Sequence, residues 1–410
     1  MFFFNNQYTR SEFDSKLPLF ELAANDECYP LGQSKMQYAP MNYVPLSVDA
    51  RVFAKVKDDL KAVYRAIISL LTFYQEEGIL GEALNLSSEE EKLFVSARYA
   101  EAVGVLRFDL LYSPEGFKVV EIDADPDALF LHDRSFNILA SHFPRNFSTV
   151  YPNHSDLYRR LLDEIGVSRG SRGLVLLDPT TVFKEEYEVN KRTFEAYGYS
   201  LEYAPYSETL AFEDYAFIKR AYEFHRIQAE HPNLLEKLRA QKCCNPITFR
   251  LVGYKHLFMH LHEHLSGTLF SPEQKEAIAR IIPKTEVYKD DTQRAYMLSH
   301  KDAVVVKPIL GAEGVDVFVG NAMDQAAWEA LIATRITQDG QWLVQELVDT
   351  ATVGYHDQSY AERRDRYFDF SPHLFVFKDE LVFGKNLVRY SDTKILNVAQ
   401  GGMFGYGIEV

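Results

Sequence analysis

The sequence predicts a mixed chain, part α+β and part α/β, and three stretches carry that prediction. "VDARVFAKVKDDLKAVYRAIISLLTFYQEEGIL" spaces its apolar residues three and four apart, the period of an amphipathic helix. "LRFDLLYS" and "FKVVEIDAD" are strand-like runs joined by a Pro-Glu-Gly turn, which makes a hairpin. From Gly173, "GLVLLDP", "EEYEVNKRTFEAYG" and "YSLEYAP" follow as strand, helix and strand, the unit of a small α/β domain.

The other elements fall in order around these three. After an irregular start, the first ~100 residues are expected to be mostly helical. "YAFIKRAYEF" can begin another element of the α/β domain, and helical patterns run through "NLLEKLRAQ", "KHLFMHLHEHL" and "SPEQKEAIARII". Residues 302–410 alternate short strands with one helix, "MDQAAWEALIATRI". The expected division is 1–140 for the helical segment plus hairpin, 165–240 for the small α/β domain and 241–410 for the remaining lobes. No internal repeat or low-complexity tract interrupts this order.

Composition narrows the function classes. A chain of 410 residues with 47% hydrophobic and 25% charged residues has enough apolar material for two or three folded domains. With 44 basic against 59 acidic residues the formal net charge is −15, so the whole chain offers no basic footprint for nucleic acid or an anionic membrane. Cys28, Cys243 and Cys244 form no disulfide framework and have no zinc-ligand spacing. The start, "MFFFNNQYTRSEFDSKL", has no basic segment leading into a long apolar one, and no run of about 18 apolar residues occurs. The expectation is a cytoplasmic protein. Dimerisation is the default assembly, since two-fold dimers are the commonest.

The stretch "DAVVVKPILGAEGVDVFVG" can bind phosphate. Val304 to Val306 form a strand that delivers Lys307, and Pro308 keeps the next residue out of a helix. Gly311, Ala312, Glu313 and Gly314 can turn tightly before a second strand from Val315 to Val319. Glycines let backbone N–H groups approach a polyphosphate, and the lysine adds a point charge. An ordinary hairpin with an exposed lysine would share the pattern.

The earlier hairpin carries a second polar set. Arg107 and Asp109 alternate on one strand, Glu121 and Asp123 on the other, so pairing puts all four on one face, with Asp125 and Asp127 just beyond. Clustered carboxylates repel, and Mg²⁺ shared with nucleotide phosphates would neutralise them. A solvated sheet face with Arg107 as counter-ion also fits. Further candidates are Lys255 at the start of an amphipathic helix, Gln345 and Glu346 ending a strand-like run where adenine and ribose could bind, and Arg389 with Asn397, Gly401 and Gly402. His256, His260 and His264 share a helical face beside His262 and Glu263, but "HLHEHL" lacks the metalloprotease spacing; packed or surface histidines explain it better. No persuasive Ser-His-Asp or Cys-His nucleophile arrangement is present.

From about residue 90 to 405, these pieces in their order resemble the synthetase domain of glutathionylspermidine synthase and the related circularly permuted ATP-grasp ligases. "RFDLLYSPEGFKVVEIDADP" is similar to that family's Arg-x-Asp, turn and Glu-x-Asn-Ala-Asp-x-Pro segment, and "KPILGAEGVDV" to its Lys-Pro-Ile-x-Gly-Arg-Glu-Gly-x-Asn-Val loop. "NP" at 245 and 246 followed by Lys255 resembles the approach to its first ATP-contacting lysine, "VQELV" resembles its adenine hinge, and Arg389 its late arginine. Permutation accounts for a metal-binding strand that precedes the phosphate loop.

The resemblance implies a circularly permuted ATP-grasp fold with a small α/β pre-ATP-grasp-like domain, and ATP and Mg²⁺ as cofactors. Asp109, Glu121 and Asp123 would be the Mg²⁺ ligands, and Arg107, Lys307 and Arg389 the catalytic cations. Lys255, Lys307, the 311–314 loop, Gln345 and Glu346 would contact the nucleotide. A carboxylate would be phosphorylated by ATP and the acyl phosphate captured by an amine, on an amino acid or small peptide. Asp123 stands where the family has asparagine, and Ala312 where the loop has arginine; both bear on substrate choice more than on ATP binding. The amidase domain of the bifunctional family members has no counterpart here, so amide hydrolysis is not expected. A small-molecule kinase on the same fold and a non-catalytic nucleotide-binding protein are the alternatives.

Overall fold

The computed structural model describes residues 3–4, 11–12, 15–19, 23–24, 41–42, 44–126, 128–147, 149, 151–177, 184–207, 209–221, 232–309, 314–337, 342–356, 363–397 and 401–410. Cys28, Asp127, Gly311, Ala312 and Glu313 lie outside the described residues. Among the described residues, no helix is long and apolar enough to cross a membrane.

The strands in chain order are β1 (Phe3–Phe4), β2 (Leu46–Val48), β3 (Gly104–Ser113) and β4 (Gly116–Asp123), then β5 (Arg172–Leu177), β6 (Ser200–Pro205) and β7 (Phe217–Ala221). They continue with β8 (Thr285–Val287), β9 (Val304–Pro308), β10 (Phe318–Val319) and β11 (Trp342–Glu346). The last four are β12 (Thr352–His356), β13 (Arg363–Val376), β14 (Leu381–Ser391) and β15 (Met403–Glu409). One mixed sheet runs β1-β2-β15-β14-β13-β3-β4 with β12 paired to β13, so the hairpin near residue 110 and the C-terminal strands form one surface. A second sheet, β10-β9-β11-β8, is antiparallel, and a third, β6-β5-β7, is parallel.

The large sheet has two differently built faces because side chains alternate along a strand. Phe368 and Phe370 of β13 are buried on one face. Against it lies α1 (Ala50–Glu76), whose Phe53 meets the Phe370 ring at 4.8 Å and that of Phe117 at 5.7 Å. This helix starts where Asp49 accepts the N–H groups of Arg51 and Val52, and it buries Phe53, Val56, Leu60, Val63 and Ile67 at helical spacing. The opposite face carries Asp369, Ser371 and His373, and its far half is covered by α2 (Leu129–His142) and α3 (His154–Glu164).

The small parallel sheet follows the strand, helix, strand reading, with α4 (Lys184–Ala196) connecting β5 to β6. The antiparallel sheet buries Val304, Val306 and Trp342 against Trp328, Ile332 and Ile336.

Three expectations change. The C-terminal strands are long: β13 has 14 residues and β14 has 11, and β13 pairs along its length with β12, β3 and β14 while β14 pairs with β13 and β15. The strand expected from Val315 shrinks to Phe318–Val319, the two residues that pair with Val306 and Val305. In "MDQAAWEALIATRI", the α-helical part is Gln325–Leu331, capped by Asp324, and Ile332–Ile336 continues as a π-helical turn.

Candidate active site

The β3–β4 register delivers the alternation read from sequence. Arg107 stands opposite Asp123, and Asp109 opposite Glu121. The next pair is Leu110 with Val119, so Val120 is an extra residue in β4, a bulge at the edge of the carboxylate cluster. β13 and β14 extend the face: Asp369 pairs with Leu111 on one side and Arg389 on the other.

These strands assemble a network of charge. Asp109 accepts from Arg107 Nε at 2.7 Å, Arg389 Nη2 at 2.7 Å and the Ser371 hydroxyl at 3.3 Å. Arg389 donates from Nε to Asp369 at 2.6 Å and from its backbone N–H at 2.9 Å. Arg107 also approaches Asp123 at 3.4 Å, and Lys255 approaches Glu121 at 3.1 Å. Lys255 lies at the entrance of the helix Leu257–Glu263, one residue before its N-cap His256.

Lys307 reaches this cluster from the separate antiparallel sheet. Its Nζ donates to the Val120 carbonyl at 2.8 Å and to Gln345 Oε1 at 2.9 Å. Four carboxylates (Asp109, Glu121, Asp123, Asp369) thus meet four cations (Arg107, Lys255, Lys307, Arg389). A cleft of about 130 Å³ opens between the two sheets, with Asp109, Glu121, Lys307 and Arg389 at its polar end. Val305, Val317, Val319, Val348 and Leu396 line an apolar part. Gly314 also borders the cleft, at a φ of +70° that glycine adopts without strain.

Burial and pairing set the charge states. Burial works to raise the Asp109 carboxyl, but Arg107 and Arg389 outweigh it and hold it below the ordinary aspartate range. The Glu121 carboxyl is lowered in the same way: burial opposes, and Lys255 and then Lys307 prevail. Asp369 shifts up, because burial and the nearby Asp109 charge exceed the pull of Arg389. Burial brings the Lys307 ammonium down to about 8, against the attraction of Glu121. The cluster therefore sets two carboxylates held in the charged form, Asp109 and Glu121, beside a lysine brought down to about 8.

Most of the residues named from sequence converge here: Arg107, Asp109, Glu121, Asp123, Lys255, Lys307, Gly314, Gln345, Glu346 and Arg389. Gln345 lines the cleft but is buried, and its amide is engaged at both ends by Lys307 and Thr285. Asn397 also lines the cleft. Sequence reasoning missed Asp369, Ser371 and Thr285. The polar and apolar alternation in "YFDFSPHLF" was the available signal for the first two. The histidine row is structural: His264 bonds Tyr74 at 3.1 Å, His260 bonds Glu263 at 2.9 Å, and His256 is buried.

A Mg²⁺ ion can be tested against these donors. Among the described residues, no group of three or more His, Cys, Asp or Glu side chains is placed to hold a metal ion, so Asp109, Glu121 and Asp123 do not stand as a ready three-carboxylate site. Asp109 is committed to two guanidinium groups, whereas the side chains of Glu121 and Asp123 keep 40% and 26% of their surface exposed. Two accessible carboxylates suit Mg²⁺, which takes one or two from protein and the rest from phosphates and water.

In comparisons with solved structures, the chain shares its fold with a glutathione synthetase-like effector from Globodera pallida, determined in its apo form. The TM-score is 0.60 at 13% identity, covering 98% of this chain and 100% of that one. A protein provisionally named a gamma-glutamylcysteine synthetase, from Methylobacillus flagellatus, aligns with a TM-score of 0.42 at 12% identity, over 80% of this chain and 84% of that one. By sequence, no family model and no curated protein matches. At 13% identity the first likeness is one of fold.

Proposed function

We propose that this chain is an ATP-dependent carboxylate-amine ligase of the circularly permuted ATP-grasp type, acting on an amino acid or small peptide and an amine. The observation that carries the reading is the cleft itself. An apolar slot of valines runs into a cluster where Lys307, from one sheet, meets the carboxylates and arginines of another. A nucleotide matches both halves: its base is an apolar plate, and its phosphates seek fixed cations.

In this reading, Lys307 and Arg389 hold phosphate oxygens, and Arg107 faces the phosphoryl group in transfer. Fixed cations act most strongly where negative charge spreads in the transition state. Glu121 and Asp123 would hold Mg²⁺, with Asp109 completing the set where phosphate draws an arginine away. The ion would shield phosphate charge. The acid's carboxylate attacks the γ-phosphorus, releasing ADP and forming an acyl phosphate. An amine then attacks the acyl carbon, phosphate leaves, and the amine's proton passes to solvent or a neighbouring base. The acyl phosphate would have to be shielded from water, which would otherwise hydrolyse it.

The test is a mass-spectrometric screen with ATP, Mg²⁺ and pools of amino acids, small thiol peptides and polyamines, using the wild type, Lys307→Ala and Glu121→Gln. Condensation products made only by the wild type support the ligase. A stable phosphorylated product without an amide identifies a kinase instead. ATP binding without ADP from any pool favours the non-catalytic alternative.

A further inference from the structure

Lys307 is held in a seat whose parts come from three strands and a bulge. Val120, the residue of β4 without a partner in β3, supplies one acceptor through its carbonyl at 2.8 Å. Gln345 supplies the other through Oε1 at 2.9 Å. The orientation of that amide is itself dictated. Gln345 Nε2 donates to Thr285 Oγ1 at 2.9 Å, and the Thr285 hydroxyl donates to the Pro283 carbonyl at 3.0 Å.

A hydroxyl has one proton. Spent on Pro283, it leaves Thr285 only lone pairs to offer, so the amide must turn its NH₂ toward Thr285 and its oxygen toward Lys307. The opposite rotamer would set NH₂ against an ammonium. Register makes this possible: Gln345 pairs with Thr285 on one side and Val305 on the other, and Lys307 lies two residues along from Val305 on the same face. Thr285 and Gln345 are 2% and 3% exposed, so water does not compete for these bonds.

We propose that Thr285 and Gln345 are positioning residues which, with the Val120 bulge, fix the Lys307 ammonium so that its third N–H is aimed into the cleft. An ammonium has three donors, and two are consumed by the seat. That the third meets a phosphate rests on the nucleotide reading; the seat itself does not. The same bonds tie the antiparallel sheet to the carboxylate strand, so the cation and the carboxylates keep one spacing.

The seat is tested on the whole protein without nucleotide, by the ¹H–¹⁵N NMR signal of the Lys307 ammonium, identified by its loss in Lys307→Met. A seated ammonium exchanges its protons slowly with water. Gln345→Met and Thr285→Val should each speed exchange by about tenfold or more, a hydrogen bond's worth of protection. Thr285→Ser, which keeps the hydroxyl, should restore the wild-type signal. Thr285→Val is nearly isosteric, which keeps the test valid if Gln345→Met folds poorly. Wild-type exchange in Thr285→Val, or Thr285→Ser behaving like Thr285→Val, would overturn the proposal. ATP titration of the same samples separates the two readings. Faster exchange in Thr285→Val, with a wild type that ignores ATP, keeps the seat and removes the nucleotide; ATP binding by the wild type with unchanged exchange in Thr285→Val does the reverse.

Discussion

Two clusters of charge lie on the same face of the large sheet, one around Lys385 and one around Asp109. The Lys385 cluster is sealed. Its Nζ bonds Asp133, Asn137 at 2.7 Å and Asn153 at 3.2 Å, while Asp133 also accepts from the backbone of His154 and Ser155 and from the Ser155 hydroxyl. The Asp109 cluster is equally rich in charge but opens onto the cleft, where Glu121 stays accessible and Lys307 has a donor to spare. Buried charge alone does not mark a site. The useful sign is hydrogen-bonding capacity that the fold leaves facing a cavity. The sealed cluster instead fastens the start of α3 to β14, since Asp133 meets the N–H groups at that helix start.

Substitutions can sharpen this contrast, beginning with the largest effect. Asp133→Ala strands the Lys385 ammonium in the interior and should cost about 3–5 kcal/mol in urea unfolding. Asp133→Ala should leave the cleft's affinity for ATP unchanged in protein that remains folded. An equal loss of affinity would show that the clusters act as one.

Lys307→Met should do the opposite, weakening ATP binding while relieving a strained charge. The sign follows from linkage. The Lys307 ammonium titrates at about 8 in the folded chain, below its ordinary 10.5. Between these values the unfolded chain holds the extra proton, so the wild type gains stability as pH rises through that window. Relative to Lys307→Met, the gain should approach about 3 kcal/mol, read from urea unfolding at pH 7 and near pH 10. A constant difference between the two proteins would show that burial does not depress this lysine.

Smaller effects test the edges. Ser371→Ala removes one bond to Asp109, which two arginines still hold, and should cost about 1 kcal/mol. Lys394→Ala removes an exposed bond to Asn321 and should cost less than about 0.5 kcal/mol in unfolding. A larger loss there would give the segment 394–397, which lines the cleft, a structural role.

The hairpin was legible because alternation is a local property: Arg107, Asp109, Glu121 and Asp123 reach one face whatever surrounds them. The Val120 bulge was not, since a register shift depends on the partner strand. Lys307 stood out by its glycine neighbours, whereas its supports, Thr285 and Gln345, come from strands whose pairing no short segment encodes. Asp369 and Arg389 were separated by a turn and a long strand whose length was underestimated. Their meeting with Asp109 is a product of sheet order, with β13 between β3 and β14.

The most direct measurement is calorimetric titration of the wild type and Lys307→Met with ATP and Mg²⁺ at pH 7. The account predicts binding by the wild type and at least about a tenfold loss in the variant, the value of a charge-assisted contact to phosphate. Equal affinities, or no binding by the wild type, would contradict a cleft built to hold phosphates on Lys307.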